Sequence, residues 1–403
     1  MLPRPAALEE ARVPQKGARL QPPPRGDGYA DVIVGAPTNS YGTPRVFAYF
    51  GSASGLSATA SWTVSGTASS TRFGASVAAT GDVNGDGFGD VMVGAPGDNS
   101  AAAYVYYGSS TGLSPVANWF AQSDQQYSRF GISVASAGDV NHDGYPDVII
   151  GAPYYGSSNQ GAAFVFYGSA TGLGPSGSPS NADWRADGMQ TDTFLGSAVG
   201  TAGDVNGDGY AAVIVGDPYY SPASGTWGGA FVYLGSATGL SSSPTWTGSG
   251  RYTLGASVST AGDVNRDGFS DIIVGEPQWQ PSVTRMEFGA AYAYHSSWPV
   301  TPSSVTVAGP TWGIAGIPYT FDVTVYPSTV SLPIDYAWTT TDQSNVTHSS
   351  VGARTDSNSY TWTTPGNKQI VVSVTNAAGT FQGIFLINIR HRLFLPFMIA
   401  PPP

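Results

Sequence analysis

An aspartate-rich loop recurs five times along this chain, and that recurrence restricts the fold more than any other feature. The copies read RGDGYAD, DVNGDGFGD, DVNHDGYPD, DVNGDGYAA and DVNRDGFSD, with equivalent aspartates at Asp27, Asp86, Asp143, Asp208 and Asp267, spaced by 59, 57, 65 and 59 residues. Each loop runs into a short apolar stretch closed by Gly-x-Pro, as in DVMVGAP, DVIIGAP, AVIVGDP and DIIVGEP. An aromatic-rich strand follows (RVFAYFGS, AYVYYGSS, AFVFYGSA, AFVYLGSA, AYAYHSS), and four of the loops are preceded by a further strand such as FGASVAAT or FGISVASA. Each repeat therefore predicts one small antiparallel sheet. The middle strand is apolar at consecutive positions, as in Val148-Ile149-Ile150 and Ile272-Ile273-Val274, so both of its faces need cover. Sheets stacked face to face around an axis provide it, and the sequence predicts an all-β chain led by a β-propeller.

Composition agrees and excludes other classes. With 53 Gly and 30 Pro among 403 residues, long helices would be interrupted constantly. A formal charge of -11, with only 16 Lys plus Arg, argues against a nucleic-acid or anionic-lipid surface. The absence of cysteine removes disulfides and thiolate chemistry, and no apolar run is long enough for a transmembrane helix.

The complete loop reads Asp-x-Asn-x-Asp-Gly-x-x-Asp. Side-chain oxygens at positions 1, 3, 5 and 9, with a backbone carbonyl at position 7, suit Ca2+, a hard cation that takes six to eight oxygens. Three copies keep the full set: Asp82, Asn84, Asp86, Phe88 and Asp90; Asp139, Asn141, Asp143, Tyr145 and Asp147; Asp263, Asn265, Asp267, Phe269 and Asp271. A fourth has Asp204, Asn206, Asp208 and Tyr210 but Ala212 at the closing position, so weaker binding is expected there. In the first copy Pro23 and Arg25 stand at positions 1 and 3, so no calcium is expected despite Asp27 and Asp31. Arg25-Gly26-Asp27 is then read as the remnant of a metal loop rather than as an adhesive tripeptide. Polar turns alone would explain scattered Asp, Asn and Gly, but these loops hold 13 of the 27 acidic residues and would repel themselves without a cation.

Phe73-Gly74, the Asp82 to Asp90 loop and Gly94-Ala95-Pro96 together resemble FG-GAP repeats, which build the β-propeller of integrin α subunits. The resemblance covers residues 25–298 and implies a calcium-stabilised, extracellular or cell-surface propeller that binds a protein or carbohydrate ligand. It weakens at Phe194-Leu195-Gly196 and Leu254-Gly255. Integrin-like propellers have seven repeats against the five loops visible here, so the expectation is either that upstream blades have been lost or that five blades close a ring of their own, with residues 1–24 a degenerate or disordered segment. Residues 302–390 show alternating strand patterns such as YTFDVTVYP and IDYAWTT and predict a β-sandwich. The stretch YTWTTPGNKQIVVSVTNAAGT resembles the end of a PKD-type or related Ig-like domain, with Trp338 and Trp362 expected in core or edge packing rather than as ligand platforms. Residues 391–403 form an apolar tail.

Nothing in the sequence assembles a catalytic set. His142, His295, His348 and His391 are scattered, and no nucleophile elbow, zinc-protease or phosphate-loop motif occurs. A binding module is the leading expectation, ahead of a structural spacer or part of a polysaccharide-active enzyme. In an antiparallel blade the turn after Gly-x-Pro lies at the end opposite the aspartate loops. Those turns carry Tyr154, Tyr155, Tyr219, Tyr220, Trp227 and Trp279, the candidate ligand-binding residues.

Overall fold

A computed structural model describes residues 16–20, 26–37, 42–97, 99–222, 227–250, 252–277, 289–296, 302–326, 330, 333–376 and 379–390. The chain divides into two compact units, Met1–Ser296 and Ser297–Pro403, each with its own core. No α-helix occurs among the described residues.

Among the described residues the first unit is built of five antiparallel sheets. Blade 1 comprises β1 (Lys16–Leu20), β2 (Asp31–Ala36), β3 (Arg45–Tyr49) and β4 (Trp62–Ser65). Blade 2 comprises β5 (Ser76–Gly81), β6 (Asp90–Ala95), β7 (Ala102–Tyr106) and β8 (Trp119–Gln122). Blade 3 comprises β9 (Ser133–Gly138), β10 (Asp147–Ala152), β11 (Ala162–Phe166) and β12 (Trp184–Asp187). Blade 4 comprises β13 (Ala198–Gly203), β14 (Ala212–Asp217), β15 (Gly229–Tyr233) and β16 (Trp246–Ser249). Blade 5 has three strands, β17 (Ser257–Gly262), β18 (Asp271–Glu276) and β19 (Ala290–Tyr294). The first strands of successive sheets pack side by side, β1 on β5, β5 on β9, β9 on β13 and β13 on β17, which is the arrangement of propeller blades around an axis. One expectation is corrected: Lys16–Leu20 is not degenerate but pairs antiparallel with β2, giving blade 1 the inner strand that its sequence conceals.

The doubly apolar second strands are covered as the pattern requires. Strands β6, β10 and β14 are buried throughout. Because side chains alternate faces, the third residue of each meets the following blade and the second and fourth meet the preceding one. Met92 thus packs with Val148 and Ile150, Ile149 with Val213 and Val215, and Ile214 with Ile272 and Val274. The two glycines of the repeat meet at this joint. A Cβ on Gly94, Gly151 or Gly216 would lie 2.0 Å from the carbonyl oxygen of Gly131, Gly196 or Gly255 of the next blade. Neighbouring backbones touch there, so neither position admits a side chain. At the rim, Trp62, Trp119 and Trp184 set their rings edge-on against Tyr106, Phe166 and Tyr233 of the next blade. Each also donates its indole N–H to a carbonyl in the next blade, Ser114, Pro175 and Ser241, at 2.9, 2.9 and 3.0 Å.

The long spacing between the third and fourth loops has a use. Extra residues before β12 bring Gly177 alongside β8, where its N–H reaches Phe120 O at 2.9 Å and its carbonyl accepts Gln122 N–H at 3.0 Å, covering an exposed edge.

The joint is not made at the two ends of the series. Ile273, equivalent to the fully buried Ile149, is 39% exposed, and Val264 is 52% exposed where Val83 and Val140 are fully buried. At the other end Leu56 is 53% exposed against 7% for Leu113. Among the described residues no comparable packing returns from β17 to β1, so these five blades form an arc rather than a closed ring.

The second unit is a β-sandwich. One sheet joins β20 (Ser304–Ala308), β22 (Pro318–Tyr326) and β25 (Thr355–Thr361). The other joins β21 (Trp312–Ile314), β23 (Ile334–Thr340), β24 (Val346–Val351), β26 (Gly366–Asn376) and β27 (Gly379–Arg390). Trp338 and Trp362 are buried in its core, and the Trp338 indole N–H reaches Asp356 Oδ2 at 2.7 Å.

These contacts rank two substitutions that sequence alone would treat alike. Ile149→Ala empties a filled joint and is expected to lower unfolding free energy by about 3 kcal/mol, whereas Ile273→Ala on the uncovered face is expected to cost under about 1 kcal/mol. Urea denaturation of the two variants checks the order.

Candidate metal loops and the opposite aromatic face

The aspartate loops fold the same way in blades 2 to 5. Their fourth residues, Gly85, His142, Gly207 and Arg266, have φ of +71°, +57°, +75° and +63°. Their sixth residues are Gly87, Gly144, Gly209 and Gly268, with φ of +89° to +94°. Two left-handed residues curl the chain so that side-chain oxygens turn toward the loop's own N–H groups. In the loop of blade 2, Asp82 accepts the N–H groups of Asp86 and Gly87 at 3.0 and 2.7 Å, and Asp86 accepts that of Phe88 at 3.0 Å. Asn84 donates to Asp86 Oδ2 at 2.9 Å. The loops of Asp139, Asp204 and Asp263 repeat these bonds. Asp27 holds the matching place in the first loop, accepting Tyr29 N–H at 3.1 Å.

The ninth-position aspartate has a role that spacing did not reveal. Asp90 is buried, and its two oxygens accept Val83 N–H at 2.9 Å and Gly108 N–H at 2.8 Å. Asp147 does the same with Val140 and Gly168, and Asp271 with Val264 and Ser296. This carboxylate ties the loop to the end of the third strand of its own blade. Ala212 cannot, which gives the fourth loop a structural defect beside its lost donor. Burial, partly offset by those N–H groups, pushes Asp90 and Asp147 up to about 7, and the charges of the loop aspartates add to the rise. Burial also raises Asp271 in the uncovered last blade, but the N–H groups of Ser296 and Val264 and the His295 ring hold it below the usual carboxylate range.

Among the described residues, no three Asp, Glu, His or Cys side chains are gathered as a metal cluster. The outer donors of these loops nonetheless match calcium in chemistry: hard oxygens on alternate residues of one tight turn. The seventh-position aromatics do more than present a carbonyl. A Cβ on Gly85 would fall 2.5 Å from the Tyr145 ring and one on Gly207 2.5 Å from the Phe269 ring, while His142 meets Tyr210 edge-on at 5.5 Å. Each ring covers the preceding blade's loop, so adjacent loops are in contact.

At the opposite end, Tyr154, Phe194 and Tyr219 form a row across blades 3 and 4. Their ring centroids are 4.8 and 5.5 Å apart, and the Arg129 guanidinium lies 4.7 Å over Tyr154. Arg129 and Phe194, at equivalent positions, have φ of +54° and +67°, a costly conformation for large side chains. Two glutamines clamp the turns beneath. Gln125 bonds Tyr154 O and Gly156 N–H at 3.1 and 2.8 Å, and Gln190 bonds the carbonyl and N–H of Ser221, both at 3.0 Å. Neither the glutamines nor Phe194 was singled out from sequence. The available signal was the shared Gln-x-x-Ser/Thr spacing of residues 125–128 and 190–193. Of the six predicted residues, Tyr154 and Tyr219 join the row. Tyr155 and Tyr220 pack edge-on against Phe164 and Phe231 of their own blades. Trp227 is 52% exposed, and Trp279 lies outside the described residues.

Residues 73–108, 130–166 and 254–294 each match the FG-GAP repeat. Those three segments are similar to FG-GAP repeats. The matched segments fall on blades 2, 3 and 5. The chain is 31% identical over 202 residues to integrin alpha-5 of Xenopus laevis, covering 47% of this chain and 18% of that protein. It is 36% identical over 152 residues to integrin alpha-PS5 of Drosophila melanogaster, covering 36% and 15%. It is also 32% identical over 232 residues to human phosphatidylinositol-glycan-specific phospholipase D, covering 49% and 26%. The chain therefore spans about a quarter or less of these relatives. A PKD domain of an M14-like peptidase from a Thermoplasmatales archaeon aligns with 22% of this chain and 94% of its own at 19% identity, with a TM-score of 0.19, and that likeness carries no argument.

Two outcomes follow for the loops. In chelator, Asp90→Ala leaves two buried N–H groups without acceptors and is expected to cost about 3 kcal/mol, while Asp86→Ala costs under about 1 kcal/mol. Chelated protein should also lose stability as pH rises from about 4 to 7: the folded-state values of Asp90 and Asp147 are raised, so the folded state holds those protons more tightly. Denaturation midpoints at pH 5 and pH 8 test both.

Proposed function

We propose that this chain is a non-catalytic, extracellular or cell-surface binding module whose blades are stiffened by calcium and whose ligand, a protein or a glycan, docks on the aromatic end. The reading is carried by the row of Tyr154, Phe194 and Tyr219 capped by Arg129, in which Phe194 and Arg129 hold left-handed backbone conformations, at the end opposite the loops. Strained residues cluster at ligand-binding surfaces, and aromatic rings with a polar tip suit protein or glycan ligands. Similarity to integrin alpha chains over the repeats supports an adhesive role.

Calcium would be held by Asp82, Asn84, Asp86 and the Phe88 carbonyl, and by their counterparts around Asp143 and Asp267, with the ninth aspartate contributing beside its N–H bonds. The Asp208 loop would bind more weakly. When bound, the ion supplies positive charge that offsets the loop carboxylates. Because adjacent loops touch through Tyr145, Tyr210 and Phe269, a charge held in one loop steadies the next. Loops of this kind in extracellular modules bind calcium at roughly 10⁻⁴ to 10⁻³ M, which fits a compartment outside the cytosol.

A glycan and matrix-protein array, probed with and without chelator, identifies the ligand class. Tyr154→Ala combined with Tyr219→Ala is expected to abolish binding to every hit while leaving the calcium-induced rise in melting temperature intact. Undiminished binding by that variant would remove the aromatic end from the interface.

A further inference from the structure

The second strands of blades 1 to 3 end in Ala36, Ala95 and Ala152, but those of blades 4 and 5 end in Asp217 and Glu276. Glu276 accepts Tyr252 N–H at 2.7 Å and the Tyr292 hydroxyl at 3.1 Å. Asp217, one carbon shorter, is 1% exposed, and neither of its carboxylate oxygens has a hydrogen-bond partner. The Thr193 hydroxyl and Tyr219 N–H face it and favour its ionised form, but they only partly offset burial, since the hydroxyl donates to Gln190 O at 3.2 Å and the N–H to Thr193 O at 3.3 Å. An ionised carboxylate so placed is strongly disfavoured, and such a group stays neutral instead.

Its surroundings offer no counter-charge. On β15, Tyr233 has its hydroxyl pushed up to about 12, first by burial and then by the charges of Asp217 and Asp187. On β12, Arg185 is engaged by Asp187 itself. Among the described residues no cation acts on Asp217, and burial pushes its carboxyl up to about 7. Its position matters because only Pro218 separates it from Tyr219, and Thr193 directly precedes Phe194.

We propose that Asp217 is a proton-operated catch for the aromatic face: neutral, it lets residues 190–196 and 217–221 close on each other, and ionised, it draws water into that contact and loosens the row. Its consequence for ligand binding rests on the function proposed above, but its existence does not. The folded-state pKa is raised above the unfolded value, so the proton's stabilising contribution is present at low pH and is lost as pH rises through about 7. Acidification would tighten the face and alkaline conditions would free it.

Hydrogen exchange on the full chain in saturating calcium tests this at pH 5.5, 7.0 and 8.5, after correction for intrinsic exchange. Wild-type segments 190–196 and 217–221 are expected to open at least about tenfold more often at pH 8.5 than at pH 5.5. Asp217→Ala, the residue of three sibling blades, should hold them closed at every pH, and Asp217→Asn serves as the neutral isostere if the alanine variant does not fold. Tyr219→Ala should keep the wild-type pH dependence, which separates this result from any failure to find a ligand. Equal pH dependence in wild type and both Asp217 variants, or none in wild type, would overturn the proposal.

Discussion

The propeller depends on one joint, repeated between each pair of neighbours: the backbone contact of two glycines, flanked by interlocking aliphatic side chains from two second strands. Because a Cβ at Gly94, Gly151 or Gly216 would overlap the next blade's carbonyl, the sheets approach closely enough for Met92, Ile149 and Ile214 to be fully enclosed. No sheet in this unit buries enough apolar surface alone. Each is stable because its neighbours cover both faces, which is the general behaviour of repeat proteins. The ends of the series show the converse, since Ile273, Val264 and Leu56 keep the side chains of a joint without the partner blade.

Charge is distributed around this joint in a consistent way. Aspartates gather at one end of the blades, where the ninth residue of the loop is buried and bound to N–H groups while the outer ones face water. The same end is bridged from blade to blade by the seventh-position rings. At the other end, packing is aromatic, and Asp217 is a carboxylate enclosed there without acceptable partners. On the proposed reading a divalent cation acts on the first end alone, whereas protons act on both, through Asp90 and Asp147 at one and Asp217 at the other.

Much of this was legible in the sequence because repetition removes ambiguity. Doubly apolar strands implied cover on both faces, which β6, β10 and β14 have, whereas the left-handed residues of the loops, His142 and Arg266 among them, show only in their φ values. Strand β1 was hidden because KGARL lacks the Phe-Gly signature and pairs through its backbone, which any sequence can do. Asp90 was read only as a metal donor because spacing reports which residues can meet, not which N–H groups compete for their oxygens. Gln125 and Gln190 were invisible for a similar reason: a side-chain clamp on a turn leaves no periodic trace. Asp217 passes in the sequence as one more Gly-x-Pro, and only its burial shows that the carboxylate there is unsatisfied.

Native mass spectrometry of the whole chain across a calcium titration addresses the central claim most directly. The account predicts three ions bound together at low millimolar calcium or below and a fourth at higher concentration, from the loop that ends in Ala212. A spectrum with no calcium retained, or with ions bound in no defined number, would contradict the reading of the aspartate loops as metal sites.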